Sequence, residues 1–174
     1  MLIRTFTLVF LLATFQFGMA YADDEIISLN GRFGTFIYLG ATVDEVNALG
    51  PDRVEAAVTE DERIGSHWHY FSSRGIRVRV CADNERVETV NAGATAASRK
   101  YVTETGARVG DNLDTVGSAY GDRLQPMPET EGTIWFVDSE RNNNRITFGF
   151  NSNGEMRWIA LGALRENGWT CGIR

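Results

Sequence analysis

Two alternating stretches, Ile76-Arg77-Val78-Arg79-Val80 and Ile146-Thr147-Phe148-Gly149-Phe150, constrain this chain more than any other feature. Successive side chains of a strand point to opposite faces, so apolar residues at every second position mean one buried face. The two stretches stand about 70 residues apart, and their surroundings recur at the same offset. Upstream of the first, Thr42-Val43-Asp44-Glu45 is a capping box; Val46 and Leu49 follow at helical spacing, and Gly50-Pro51 is a stop. Upstream of the second, Gly110-Asp111-Asn112-Leu113-Asp114 opens a short helix that Val116 and Tyr120 continue and Gly121 ends. An aromatic strand follows each helix signal, His67 to Phe71 and Ile134 to Val137. After each alternating strand comes a polar turn and a third strand, carrying Val87 and Val90 or Met156, Trp158 and Ile159.

Recurrence of helix, aromatic strand, alternating strand and turn in one order predicts an α+β chain of two tandem repeats of short helices packed on an antiparallel β-meander. The expected boundaries are residues 1–22 for a targeting segment, 23–95 for the first repeat and 96–174 for the second. Expected core residues are Val46, Leu49, Trp68, Tyr70, Ile76, Val78 and Val80, then Leu113, Val116, Tyr120, Trp135, Ile146, Phe148 and Phe150. Each half alone would bury a marginal core, so the halves are expected to share a sheet or a packed interface.

The segments Leu39-Gly40-Ala41-Thr42 through Leu49-Gly50-Pro51, and Tyr101 through Val109-Gly110-Asp111 to Tyr120-Gly121, resemble the helix segments of the beta-lactamase-inhibitor-protein and BamE-like superfamily. The resemblance covers most of residues 33 to 161. It implies a helical element on one face of an antiparallel sheet, present in two copies as in the inhibitor. The matching positions are apolar and glycine residues that set packing, so the likeness bears on fold and carries no contact residues over.

The first 22 residues read as a signal peptide. Arg4 is a short basic region, Phe6 to Phe17 is largely apolar, and Ala20-Tyr21-Ala22 is a small-x-small cleavage site. About 12 apolar residues are too few to cross a hydrocarbon core that needs roughly 20. No cysteine adjoins the site, so the acylated cysteine of a lipoprotein, BamE's included, is missing. A bacterial protein of the periplasm or the extracellular space, without a membrane anchor in its mature form, is the expectation. Cys81 and Cys171 are the only two cysteines, and export favours their pairing. That disulfide would close a loop of about 90 residues, for which chain entropy gives on the order of 4–5 kcal/mol.

Composition narrows the function. Without Arg4 the mature chain carries 16 basic and 23 acidic residues, and an acidic chain has no general affinity for phosphate backbones. No nucleic-acid partner is expected. There is no Walker loop or GxGxxG, and the only histidines, His67 and His69, sit two apart on one strand, where nothing nominates a serine to join them. No enzyme activity and no cofactor are therefore expected. An HxH pair on a strand points both rings to one face, a start for Zn or Cu. With a three-residue hairpin loop Ser73-Arg74-Gly75, however, Tyr70 faces Val78, Trp68 faces Val80, and His69 lies opposite Arg79, a cationic neighbourhood that disfavours a metal.

The same register gathers His67, His69, Phe71, Arg77 and Arg79 on the outward side of the first hairpin as the candidate binding surface. Arginine and aromatic side chains are enriched at interface centres, and this stripe on an acidic chain fits another protein that is acidic at the contact. A soluble exported non-catalytic protein-binding module, of inhibitor, immunity or envelope-assembly type, is the leading expectation; a periplasmic metal- or small-ligand-binding protein using His67 and His69 is the alternative. The exported protein should begin at Asp23 and lack free thiols. Intact mass checks the cleavage, and two thiols alkylated in fresh, unreduced material would remove the Cys81 to Cys171 disulfide.

Overall fold

The computed structural model describes residues 24–58, 64–128 and 130–164. The signal segment and Cys171 lie outside the described residues, so the disulfide is left to the thiol measurement; Cys81 itself is buried at the end of a strand.

Three short strands come first, β1 (Glu25–Ile27), β2 (Arg32–Phe33) and β3 (Ile37–Tyr38), then the helix α1 (Val43–Ala48). Four strands form an antiparallel meander: β4 (Arg53–Val58), β5 (Ile64–Phe71), β6 (Ile76–Cys81) and β7 (Val87–Gly93). After β8 (Tyr101–Thr103) and the helix α2 (Leu113–Tyr120), a second meander runs through β9 (Gln125–Pro126), β10 (Ile134–Asp138), β11 (Asn144–Phe150) and β12 (Met156–Ala163). The two meanders are one sheet of eight strands, in the order β4-β5-β6-β7-β12-β11-β10-β9, joined where β7 pairs antiparallel with β12. A second sheet, β3-β2-β1-β8, is mixed, because β1 and β8 run parallel.

Both helices start as their sequences demand. The Thr42 hydroxyl accepts from the Glu45 amide, and the Glu45 carboxylate accepts from the Thr42 amide at 2.7 Å, which satisfies two amides that α1 itself leaves unbonded. Asn112 caps α2 by accepting from the Thr115 amide at 2.8 Å. Neither helix is long. Only α2, among the described residues, reaches seven residues, and strand outweighs helix 47% to 19%. The expected α+β class of tandem helix repeats on meanders is corrected accordingly: the fold is mostly β, an eight-stranded antiparallel sheet with a mixed four-stranded sheet against it. Five short strands and the exposed edge strand β4 account for the difference. Arg53-Val54-Glu55-Ala56-Ala57-Val58 has no alternating burial, so it is a strand because β5 offers it a hydrogen-bonding edge rather than because its side chains have a face to hide.

The core lies between the two sheets and under the helices. The inner face of the large sheet contributes Phe71, Ile76, Val78, Val80, Val90, Ala92, Ile159, Leu161, Ile146 and Phe148, all below 5% exposure. Tyr120 of α2 meets Phe148 at 5.4 Å between ring centroids, and Phe36, between β2 and β3, meets Phe71 edge-on at 5.2 Å. Phe33 and Tyr101 meet in the small sheet at 5.0 Å between ring centroids, with their planes tilted by 53°.

Because Leu161 is fully buried opposite Val90 in the seam between the meanders, Leu161→Ala should cost about 2–5 kcal/mol. Urea unfolding followed by near- and far-ultraviolet circular dichroism checks this. A single shared transition is expected, and two separated ones would mean that the meanders fold apart.

Candidate binding face

The first hairpin closes one residue earlier than a three-residue loop allows. Phe71 pairs with Ile76, Tyr70 with Arg77, His69 with Val78, Trp68 with Arg79 and His67 with Val80. Ser72 to Arg74 make a tight helical turn, and Gly75 takes the left-handed conformation at φ 68°. Two contacts from elsewhere hold Ser72 and Arg74 in that turn: the Asp52 carboxylate accepts from the Ser72 amide, and the Arg74 guanidinium lies 4.2 Å from the centre of the Phe36 ring. A one-residue shift in register moves every side chain of a strand to the other face. The expected binding stripe is therefore split, with His69 and Phe71 inside, His67 half-buried beside them, and Arg77 and Arg79 outside. Trp68 and Tyr70, expected in the core, point outward with the arginines. The other expected core residues lie inside, with Leu49, Leu113 and Trp135 at its margin.

His69 is 2% exposed, sits between Val54 and Val78 on the flanking strands, and has no hydrogen-bond partner on either ring nitrogen among the described residues. Burial pushes its pKa below the ordinary imidazole value, and the charge on neighbouring His67 pushes the same way. No group of three or more His, Cys, Asp or Glu side chains is placed to hold a metal ion, among the described residues.

The outer face of the sheet is assembled from register-aligned rows. One runs Glu55, Trp68, Arg79, Thr89, Gly162, Arg145, Asp138; the next runs Arg53, Tyr70, Arg77, Asn91, Ala160, Thr147, Phe136. A third carries Gly93, Trp158, Gly149 and Ile134. Arginines stack on aromatics across these rows: Arg53 over Tyr70 at 4.2 Å, Arg77 over Trp68 at 4.6 Å, and Arg145 over Phe136 at 3.6 Å. Carboxylates hold several of them. Arg145 makes two bonds to Asp138, at 2.6 and 2.8 Å, and the Tyr70 hydroxyl donates to Glu55 at 2.8 Å. Glu88, the extra residue of a bulge in β7, lies 3.6 Å from Arg79 and is only 3% exposed. Trp158 lies flat across β11 in the space that a side chain at Gly149 would fill; a methyl group there would overlap the indole. Small residues thus form the floor of this face, and aromatic and arginine side chains form its walls.

The sequence reading missed Trp68, Tyr70 and Trp158 as surface residues, although the alternation of β6 already placed Arg77 and Arg79 outside. No family model and no curated protein matches the chain. Among solved structures it is similar to the uncharacterized protein yfeY from Escherichia coli, at 7% identity and a TM-score of 0.42, over 77% of this chain and 95% of that one.

A histidine neutral in the fold but protonated when unfolded makes the unfolded chain the better proton binder below its ordinary pKa of 6.5. Stability contributed by neutral His69 is therefore present above about pH 6.5 and lost on acidification toward the lowered folded value. The melting temperature should fall over that range, and His69→Leu should flatten the fall; an unchanged acid slope in that variant would overturn the assignment.

Proposed function

We propose that this chain is an exported, non-catalytic protein-binding module whose recognition surface is the outer face of the eight-stranded sheet. The observation that carries the reading is the set of arginine and aromatic stacks there. Eight strands at about 4.8 Å spacing give a face roughly 34 Å across, and the core cluster includes none of its large side chains, Trp68, Tyr70, Phe136 or Trp158. Side chains that are already stacked lose little freedom when a partner covers them, and tryptophan, tyrosine and arginine are those that most often dominate binding energy. Export to the periplasm or the extracellular space is part of the proposal and rests on the leader-like head. Among the described residues no helix is long and apolar enough to cross a membrane. An inhibitor, an immunity-type protein and an envelope-assembly factor are its concrete forms, with a partner acidic at the contact. No observation favours the alternative built on His67 and His69, since His69 is buried between Val54 and Val78 on the inner face.

Capture from an envelope extract, with the wild-type chain and variants as bait, tests the reading. Trp68→Ala and Arg77→Ala should each weaken the captured complex by about 1–4 kcal/mol, with little change in melting temperature because both side chains lie outside the core. Arg79→Ala should instead lower stability by on the order of 1–3 kcal/mol, because it removes a charged partner from the buried Glu88 carboxylate. Unchanged capture by both Trp68→Ala and Arg77→Ala would move the binding surface off this face.

A further inference from the structure

Where β7 ends beside β12, the outer face carries a recess of about 450 Å³. Tyr70 and Trp158, both half-buried, stand in its lining with Gly75 and Gly93, which a backbone hydrogen bond joins. Arg77 and Arg157 line it too, and among the described residues no acidic side chain does. Gly93 is the informative position. Its backbone is not left-handed, and a Cβ added there would meet no atom within 4 Å. Neither conformation nor packing therefore calls for glycine, which weakens a strand. The missing side chain leaves open space above the sheet, of the kind that a strand glycine gives to something approaching closely.

The two arginines stand on opposite sides of that space. Arg77 shares a row with Asn91 and Ala160, and Gly93 lies two residues further along β7, opposite Trp158. Arg157 is the extra residue of a bulge in β12, between Met156, paired with Phe150, and Trp158, paired with Gly149; a bulge re-aims side chains. At about 4.8 Å between strands and about 3.3 Å per residue, Gly93 falls near the middle of a backbone diagonal of roughly 14 Å from Arg77 to Arg157. Arg77 lies over the Trp68 ring and has no carboxylate partner among the described residues. Arg157 holds Glu155 at 3.5 Å, with both side chains 48% exposed, an ion pair of the kind that contributes little.

We propose that the recess receives an aromatic side chain from an extended acidic segment of the partner, whose carboxylates two residues before and two residues after it meet Arg77 and Arg157. In an extended chain those two positions point the same way as the aromatic residue and lie roughly 13 Å apart, which matches the arginine diagonal. Two guanidinium groups with no acidic side chain in the lining call for negative charge. Against Tyr70 and Trp158, a third ring gains contacts beyond its buried area. The proposal rests on the protein-binding reading and specifies what the face selects in its partner.

The probe is the blocked peptide acetyl-Glu-Ser-Phe-Ser-Glu-amide, titrated into the full mature protein while the Gly93 amide and the Trp158 indole N–H are followed by two-dimensional NMR. Saturable shifts of both are expected. Peptides with alanine in place of phenylalanine, or lysine in place of both glutamates, should bind at least tenfold more weakly. Gly93→Val should weaken binding at least tenfold without lowering the melting temperature, because the added side chain fills the recess and not the core; Gly93→Ala repeats the comparison with the smallest change. Arg77→Glu with Arg157→Glu should lose the glutamate peptide and take the lysine peptide instead. Absence of the shifts, equal binding of the alanine peptide, undiminished binding by both Gly93 variants, or no exchange of preference in the charge-reversed chain would each overturn the site. Capture from the envelope extract that Gly93→Val leaves undiminished would remove this anchor alone, whereas unchanged capture by Trp68→Ala and Arg77→Ala would remove the recognition face with it.

Discussion

Pairing of β7 with β12 is the constraint on which the rest of the molecule depends. Val90 faces Leu161 and Ala92 faces Ile159 across that seam, and all four are completely buried. Without the pairing, each four-stranded meander would present a long hydrophobic edge to water. With it, the inner faces of both meanders become one apolar surface that the small sheet and the two short helices cover together. Six and eight residues of helix are too few to be stable alone. They persist because Val46 and Val116, both fully buried, dock on a surface that already exists.

The seam also shapes the outer face. It brings Thr89, Asn91 and Gly93 of one meander beside Gly162, Ala160 and Trp158 of the other, so apart from Trp158 the middle of the sheet is built from small and polar residues, while the other large side chains stand to either side. On the flank from the first meander, Trp68, Tyr70, Arg77 and Arg79 form the wall; Phe136 and Arg145 form the opposite one. Glycine at position 149 completes this layout, because only the absence of a side chain lets the Trp158 indole lie down across its neighbour. The arginine stacks around the centre of the face are a consequence of the same placement.

A partition between the two faces explains why adjacent residues have opposite fates. His69 lies between Val54 and Val78 with no partner for its ring nitrogens among the described residues, whereas Trp68 and Tyr70, its neighbours in sequence, lie half-buried under arginines on the outer face. Burying a neutral imidazole is tolerable at neutral pH; burying an imidazolium is not. The first hairpin therefore carries the acid-sensitive part of the core on its inner side and the proposed recognition surface on its outer side.

Much of this was legible in the residues themselves. The capping box at Thr42, the cap at Asn112, the alternating strands β6 and β11, and the strands on either side of them follow from local chemistry: hydrogen-bonding side chains at helix starts and apolar side chains at every second position. Alternation also put Ile76, Val78, Val80, Ile146, Phe148 and Phe150 inside. What local chemistry left open was decided by partners distant in the chain. The sequence Ser-His-Trp-His-Tyr-Phe is apolar enough on both sides to bury either one, so its inward face waited on the turn, and the turn was set by Asp52 and by Phe36. Strands of two or three residues, such as β1, β2 and β8, have no periodicity to read and exist only as ladders between residues as far apart as Glu25 and Tyr101. The outer face has the same origin: no row of it is contiguous in sequence, and it became a surface only when the register of seven strand pairings aligned arginine, aromatic and glycine across eight strands.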